Sequence, residues 1–460
     1  MTTDSTAHAG TARIATARAA TPPTAAVAPA ATAEPARRAP PPPVGPGLAA
    51  QKAPPFVLPG EHFAIAMTFL VLGALALVWI APEVARGSYP SPRVIATTHL
   101  FTLGWITTSI MGALYQFLPV ALGEPVRSIR LAHLTYALYV PGLVIFVVGV
   151  ATYRTGPMLA GAATLGTGVL LFAGNLGATL RRAAKRDVTW WALAGAATYL
   201  VVTFVFGAAL AGNLRWGYLG GQRFLALGVH LHIALAGWVL LVMVGVAHRL
   251  LPMFLVSHGA GNGFAKAAVA LIAAGAGVLA LLHHAPPLVS RWLPGALLAA
   301  GLLCFLAQAR SFYRHRRRPS LDPGMRLAAA ALTLLATALA LAGPVVLGRA
   351  GPRLATAYVA VVLLGISLFV AAHYYKIVPF LVWYHRFGPR AGKRPLPRVA
   401  ELYSGAAATA AGALLVSGAA GLALSIAGGW ILVARAAAAL FAAGVVTEAF
   451  QMLALSRKRP

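Results

Sequence analysis

Thr98-His99-Leu100-Phe101-Thr102-Leu103-Gly104-Trp105, running on to Gly112, Tyr115 and Pro119, decides how the chain is read. The pattern returns 133 residues later. There His232 answers His99, Gly237 and Trp238 answer Gly104 and Trp105, and Gly245, His248 and Pro252 answer Gly112, Tyr115 and Pro119. A third, worn copy ends at Tyr375 and Pro379, with Gly365 at the tryptophan position and Val359 where the histidine would stand. Both full copies set an ionisable imidazole inside a strongly apolar segment, which water-soluble cores do not need.

Working outward, the 460 residues are 59% hydrophobic and only 10% charged. Apolar runs of about 20 residues or more, long enough to cross a bilayer as helices, recur from residue 60 onward. Twelve are expected, at roughly 60–81, 93–121, 130–153, 156–180, 188–212, 224–256, 262–284, 288–312, 325–348, 354–385, 400–426 and 429–455. They show no two-residue alternation, so membrane strands are disfavoured. The expectation is an all-α polytopic membrane protein. Its repeat of about 130 residues covers four helices and gives three four-helix pseudo-repeats, about 56–187, 188–320 and 321–460. Three such units can close into a ring, with the second, sixth and tenth segments equivalent. Residues 1–55, rich in Ala and Pro, lack an apolar stretch and are expected to form a disordered cytoplasmic tail.

The net charge of +28 would suggest nucleic acid in a soluble chain, but its distribution argues against that. Of 37 Lys and Arg, 27 fall in the amino-terminal tail, the loops after even-numbered segments and the carboxyl tail, against 8 in the other loops. The asymmetry follows the positive-inside rule and places both termini in the cytoplasm of an inner-membrane protein in contact with lipid. Arg314, Arg316, Arg317 and Arg318 then read as topology anchors, with no nucleic-acid partner. Lys376 is expected to snorkel to the inner surface. The single cysteine, Cys304, excludes an intrachain disulfide and the CxxCH attachment of a c-type haem.

This topology brings five of the thirteen histidines to one stratum near the outer face: His99, His230, His232, His283 and His284. His99 lies six residues past Arg93, and His230 and His232 lie seven and nine past Arg223, about 10 Å deep at 1.5 Å per residue. An imidazole in hydrocarbon needs a partner or a metal to offset its desolvation. Taken singly, each is as well explained by an interhelical hydrogen bond. Two imidazoles at equal depth on adjacent helices, however, can hold a haem iron from both faces. His230 and His232 are about 200° apart around a helix, so one helix could serve two cofactors. Adjacent His283 and His284, before Ala285-Pro286-Pro287, could offer nitrogens to copper or simply sit at the interface.

His230-Leu231-His232, with Gly237-Trp238, Gly245 and Pro252 following, resembles the His-x-His helix of haem–copper oxidase subunit I, most closely the cbb3-type branch. The stretch from His99 to Gly123 resembles that family's second helix, and the same spacing is similar to that of NnrS-type haem and copper membrane proteins. The resemblance implies one or two b-type haems on His99 with His230 or His232, His232 being favoured by the repeat. Trp105 and Trp238 could stack on a porphyrin edge or simply fill the bundle interior, the commoner use of large residues. The resemblance also implies that His283 and His284 are copper ligands. It implies electron transfer or handling of O2 or NO, with a periplasmic cytochrome or a quinol as donor and with partner subunits. The chain departs from the oxidases in carrying His-x-His on the sixth segment rather than the tenth, and in lacking the copper-site tyrosine. Nine acidic residues, of which Glu448 alone falls well within a segment, give no support to proton pumping. A cofactor-free permease and an assembly factor for respiratory complexes are the competing readings.

Overall fold

A computed structural model describes residues 54–391 and 395–459. The tail expected over residues 1–55 therefore lies, up to residue 53, outside the described residues. Among the described residues, twelve helices are long and apolar enough to span a membrane: α1 (Val57–Ala85), α2 (Pro92–Leu122), α3 (Ile129–Ala151), α4 (Thr155–Arg182), α5 (Val188–Trp216), α6 (Gly220–Leu255), α7 (Gly263–Leu282), α8 (Leu288–Arg314), α9 (Pro323–Val346), α10 (Pro352–Arg390), α11 (Gly405–Gly428) and α12 (Ile431–Ser456). Among the described residues there is no strand, only an isolated bridge between Ser257 and Arg316 joining two loops. With twelve crossings, the start of α1 and the end of α12 share one face, here the terminal face. The chain is an all-α polytopic membrane protein.

Local chemistry explains the helix ends. Ser91, Ser128, Asp187, Asp322 and Ser404 cap α2, α3, α5, α9 and α11, each side chain accepting from the backbone N–H three residues on. Gly123 ends α2 in the left-handed region at φ +72°, where glycine carries no Cβ penalty. Its repeat equivalent, Val256, keeps that conformation at φ +52° at the end of α6, despite its branched side chain. The repeat thus preserves the turn even where the residue is unsuited to it.

Packing follows a rule of three. The first helix of each unit packs on the second (α1 on α2, α5 on α6, α9 on α10), and the third packs on the fourth. The fourth helix meets the first of the next unit, as α4 with α5, α8 with α9, and α12 with α1, which closes the ring. The second helices are the most enclosed. About two thirds of the membrane-crossing stretch is buried for α2 and α6 and 61% for α10, against 50% or less for every other span, so these three line the middle.

Each second helix sits against its first helix through a glycine. A Cβ on Gly104 would lie 2.7 Å from Phe69, one on Gly237 2.8 Å from Tyr199, and one on Gly365 2.9 Å from Leu335. These glycines therefore serve close helix approach. They also correct the register of the third copy. Gly365 is the counterpart of Gly104 and Gly237, not of the tryptophans, and the histidine position falls on Ala360 rather than Val359. The cause is a π-helical stretch, Leu100–Thr107 in α2 and Ile233–Leu240 in α6, beginning one residue after His99 and His232. Its wider i→i+5 turn takes up one extra residue. The third copy is α-helical from Pro352 to Val382 and one residue shorter. Shorter π turns at the start of α8 and the end of α10 lie away from this region.

Gly237→Val should overpack the α5–α6 contact and cost about 1–3 kcal/mol. Gly174→Ala, where nothing lies within 4 Å of a new Cβ, should leave the thermal midpoint in detergent unchanged. Equal midpoints for both variants would mean that α5 and α6 are not in contact at this glycine.

Candidate functional site

The glycine contacts hold each second helix against its own unit and leave space between units. A cavity of about 400 Å³ lies between α2–α4 and α5–α6. A second, of about 290 Å³, lies between α2, α6 and α10 with α1 and α11 behind. A third, of about 90 Å³, lies between α6, α8, α9 and α10. The walls are mostly apolar, and the polar groups that reach them are few.

His99 and His230 border both of the larger cavities, which meet at this pair. Their ring centroids are 6.4 Å apart and the planes are inclined by 28°. His99 Nδ1–H donates to the carbonyl oxygen of Ile95 at 2.8 Å. His230 Nδ1–H donates across to the carbonyl of Thr203 on α5 at 3.1 Å. A carbonyl can only accept, so both rings are fixed in the Nδ1–H tautomer and keep an Nε2 lone pair. Two walls hold the rings in place. Phe146 meets His99 edge-on at 5.1 Å, and His230 fills the space over Gly207, where a Cβ would stand 2.9 Å from its Cε1.

The ring facing His99 is thus His230, although the repeat favours its own counterpart, His232. The pseudo-symmetry gives the reason. His232 repeats the role of His99 one unit on, facing the next interunit space rather than the same one. Its Nδ1–H donates to the Gly228 carbonyl at 2.8 Å, matching His99 and Ile95. Its Nε2 accepts from the Tyr358 hydroxyl at 3.2 Å, with the rings 5.8 Å apart. With the extra residue of the π stretch counted, Tyr358 is the counterpart of His230. Sequence reasoning missed Tyr358 because an ungapped register puts Ala357 in that place. The spacing that could have shown it is Gly104 to Gly112 and Gly237 to Gly245, eight residues each, against Gly365 to Ala372, seven.

The two tryptophans part company. Trp238 lines the largest cavity, and its Nε1–H donates to Thr107 Oγ1 at 3.1 Å, closing that floor between α6 and α2. Trp105 is fully buried against Tyr374, with centroids 4.7 Å apart, and borders none of the three cavities. In the π stretch of α2 the Leu103 carbonyl accepts from two hydroxyls, Tyr139 at 3.0 Å and Thr108 at 2.9 Å, besides the Thr108 backbone N–H. At the mouth, on the face opposite the termini, stand Pro90, Tyr153, Asn213 and the exposed Arg223. Arg223 is the cation available there to a carboxylate-bearing ligand.

His283 and His284 lie with ring centroids 4.0 Å apart and planes tilted by 45° at the end of α7, with His283 Nδ1–H donating to Ala280 at 3.0 Å. They border none of the three cavities, and among the described residues no group of three or more His, Cys, Asp or Glu is placed to hold a metal ion. Lys376 reaches toward the terminal face, where its ammonium pairs with Asp322, the N-cap of α9, at 2.6 Å.

No family model matches the chain, and no curated protein matches it. Fold and geometry therefore define the class alone: a polytopic helical membrane protein with paired aromatic side chains between α2, α6 and α10.

Tyr358→Phe removes the donor to His232 Nε2 and should lower stability by about 0.5–1.5 kcal/mol. The measurement is the thermal midpoint in detergent beside His232→Ala. A double variant that loses the sum of the two single effects would show that the pair is not coupled.

Proposed function

We propose that the chain is a membrane haem protein that carries electrons through one b-type haem held by His99 and His230. The observation that supports this best is the separation of those rings. With metal–imidazole bonds of about 2.0–2.1 Å, two imidazoles binding one ion end-on from opposite sides place their centroids about 6 Å apart. His99 and His230 stand at 6.4 Å with both Nδ1 atoms protonated, which leaves Nε2 of each as the ligating atom. The cavities meeting at the pair, about 400 and 290 Å³, offer a flat macrocycle apolar walls on both sides. When bound, haem supplies a one-electron couple. The backbone carbonyls of Ile95 and Thr203 orient the ligands and raise their basicity, as outer-shell acceptors do. Arg223 would take the carboxylates at the mouth, and with no CxxCH the group is held without thioether links.

Two imidazoles on one iron leave no open position, so electron transfer is favoured over binding of O2 or NO. The resemblance of His230-Leu231-His232 and of His99 to Gly123 to haem–copper oxidase subunit I supports the same assignment. Copper at His283 and His284 does not fit, because two neighbouring rings lack a third donor, and no step is derived through it. One haem is assigned, since His232 is already engaged by Tyr358. The charge asymmetry supports an inner-membrane protein with cytoplasmic termini. The site then opens toward the periplasm, where a quinol or a cytochrome would deliver electrons, with or without partner subunits.

Purified protein should show a sharp haem α-band in its reduced-minus-oxidised spectrum and about one haem per chain. His99→Ala and His230→Ala should each abolish the band, and His232→Ala should keep it. Carbon monoxide should leave the reduced spectrum unchanged; a shift would give the iron an open position and favour gas binding. A wild-type protein with no haem would sink the proposal and leave the permease or assembly reading.

A further inference from the structure

On the terminal-face side of the imidazole pair, Glu448 of α12 is wholly buried, and neither carboxyl oxygen has a hydrogen-bond partner among the described residues. It lies eight residues from the end of α12, about 12 Å along the helix. The groups around it are neutral and hydroxylic. On α10, Tyr374 shares a hydrogen bond with Ser109 of α2 at 2.8 Å. Tyr375 accepts from Gln451 Nε2, one turn past Glu448, at 3.1 Å. The N–H of the Trp105 indole, which packs tilted against Tyr374, and Gln451 Oε1 also lack partners among the described residues.

Every element packed here lacks a charge to answer a carboxylate. On α1, Glu61 pairs with His133 of α3 at 3.0 Å, and His62 donates to Leu58. α11 has no titratable side chain between Gly405 and Gly428, and Arg435 of α12 is exposed thirteen residues away. His373 of α10 packs on Phe369 and Phe254. Lys376 is held by Asp322. An unpaired charge at such a place is far more costly than a neutral acid.

From Glu448 the polar groups continue toward the terminal face. Tyr375 meets Tyr403 of the α10–α11 loop at 5.4 Å between centroids. Tyr403, whose hydroxyl is pushed up to about 12 by burial and then by the Asp322 charge, stays neutral there.

We propose that Glu448 is a proton-binding site within the membrane domain, exchanging with the terminal face past Tyr375 and Tyr403. The occupant is one proton on a carboxyl oxygen, and only that O–H bond forms or breaks as it exchanges. No cage of oxygens that would suit a metal cation converges there. The site is independent of the haem reading, and its test needs no cofactor.

The test is infrared difference spectroscopy of wild type against Glu448→Gln at pH 7, in detergent. Wild type should carry a protonated-carboxyl C=O band, shifted in D2O and missing from Glu448→Gln, which keeps the shape of the neutral acid. Glu448→Asp is the second variant, expected to move the band rather than remove it. Tyr375→Phe should keep the band and slow its deuterium exchange at least about ten-fold. Carboxylate bands alone at pH 7, with or without sensitivity to sodium, would overturn the proton site. Unaltered exchange in Tyr375→Phe would overturn the route.

Discussion

Everything at this site depends on the hydrogen bond from imidazole Nδ1–H to a backbone carbonyl. In a bilayer an unsatisfied ring N–H has no water to turn to, and the nearest acceptor is the carbonyl four residues back along the helix. His99 and His232 use it, and so do His62 and His373 elsewhere in the bundle. The bond therefore makes a buried histidine tolerable without marking a site. What distinguishes the residues is the other nitrogen. Nε2 of His62 and of His373 is buried without a partner among the described residues, and that of His232 has Tyr358. His99 and His230 stand over cavities and face each other, with chemistry still available to them.

The ring of three units turns one motif into three unlike interfaces. Between the first and second units stand His99 and His230, and between the second and third, His232 and Tyr358. By the same register, Ala360 and Thr97 stand between the third and first, both on the wall of the middle cavity. The π stretches track this series, since they occur in the two second helices that carry a histidine at that position and not in the third. Such stretches are common at functional positions, and here one lies directly below each histidine. In α2 the Leu103 carbonyl of the stretch accepts from the Tyr139 and Thr108 hydroxyls as well as from the Thr108 N–H.

The helices were legible because length and hydropathy are one-dimensional quantities, and bilayer thickness converts one to the other. The repeat was legible from His99, Gly104, Trp105 and their partners. Partner choice across the bundle was not. Whether His99 meets His230 or His232 depends on the rotation of α6, and helical periodicity alone leaves two faces open. The third copy was misread by one residue because the π stretch, which has no sequence signature of its own, changed the count between the two glycine positions, Gly104 to Gly112 against Gly365 to Ala372. Gly104 and Gly237 could have faced helix or macrocycle; Phe69 and Tyr199 settle that they face helix. Tyr358 and Gly207 carried no signal in isolation, since a tyrosine and a glycine are unremarkable in any apolar span.

Loss of the pair at the third interface also explains why the bundle is not symmetric. Where both partners are nitrogen bases, α2 and α6 stand apart, and the link at their floor is the hydrogen bond from Trp238 to Thr107. Where the partners have shrunk to Ala360 and Thr97, α2 and α10 close directly, with Trp105 packed on Tyr374 and Ser109 hydrogen-bonded to it. The side chain that lines a cavity in one copy therefore becomes core in the other, though Trp105 and Trp238 occupy equivalent positions. That closure brings α10 and its two tyrosines up to α12, in the same layer as Glu448. One helix, α2, consequently contributes to an imidazole pair near one face and to a hydroxyl cluster nearer the other.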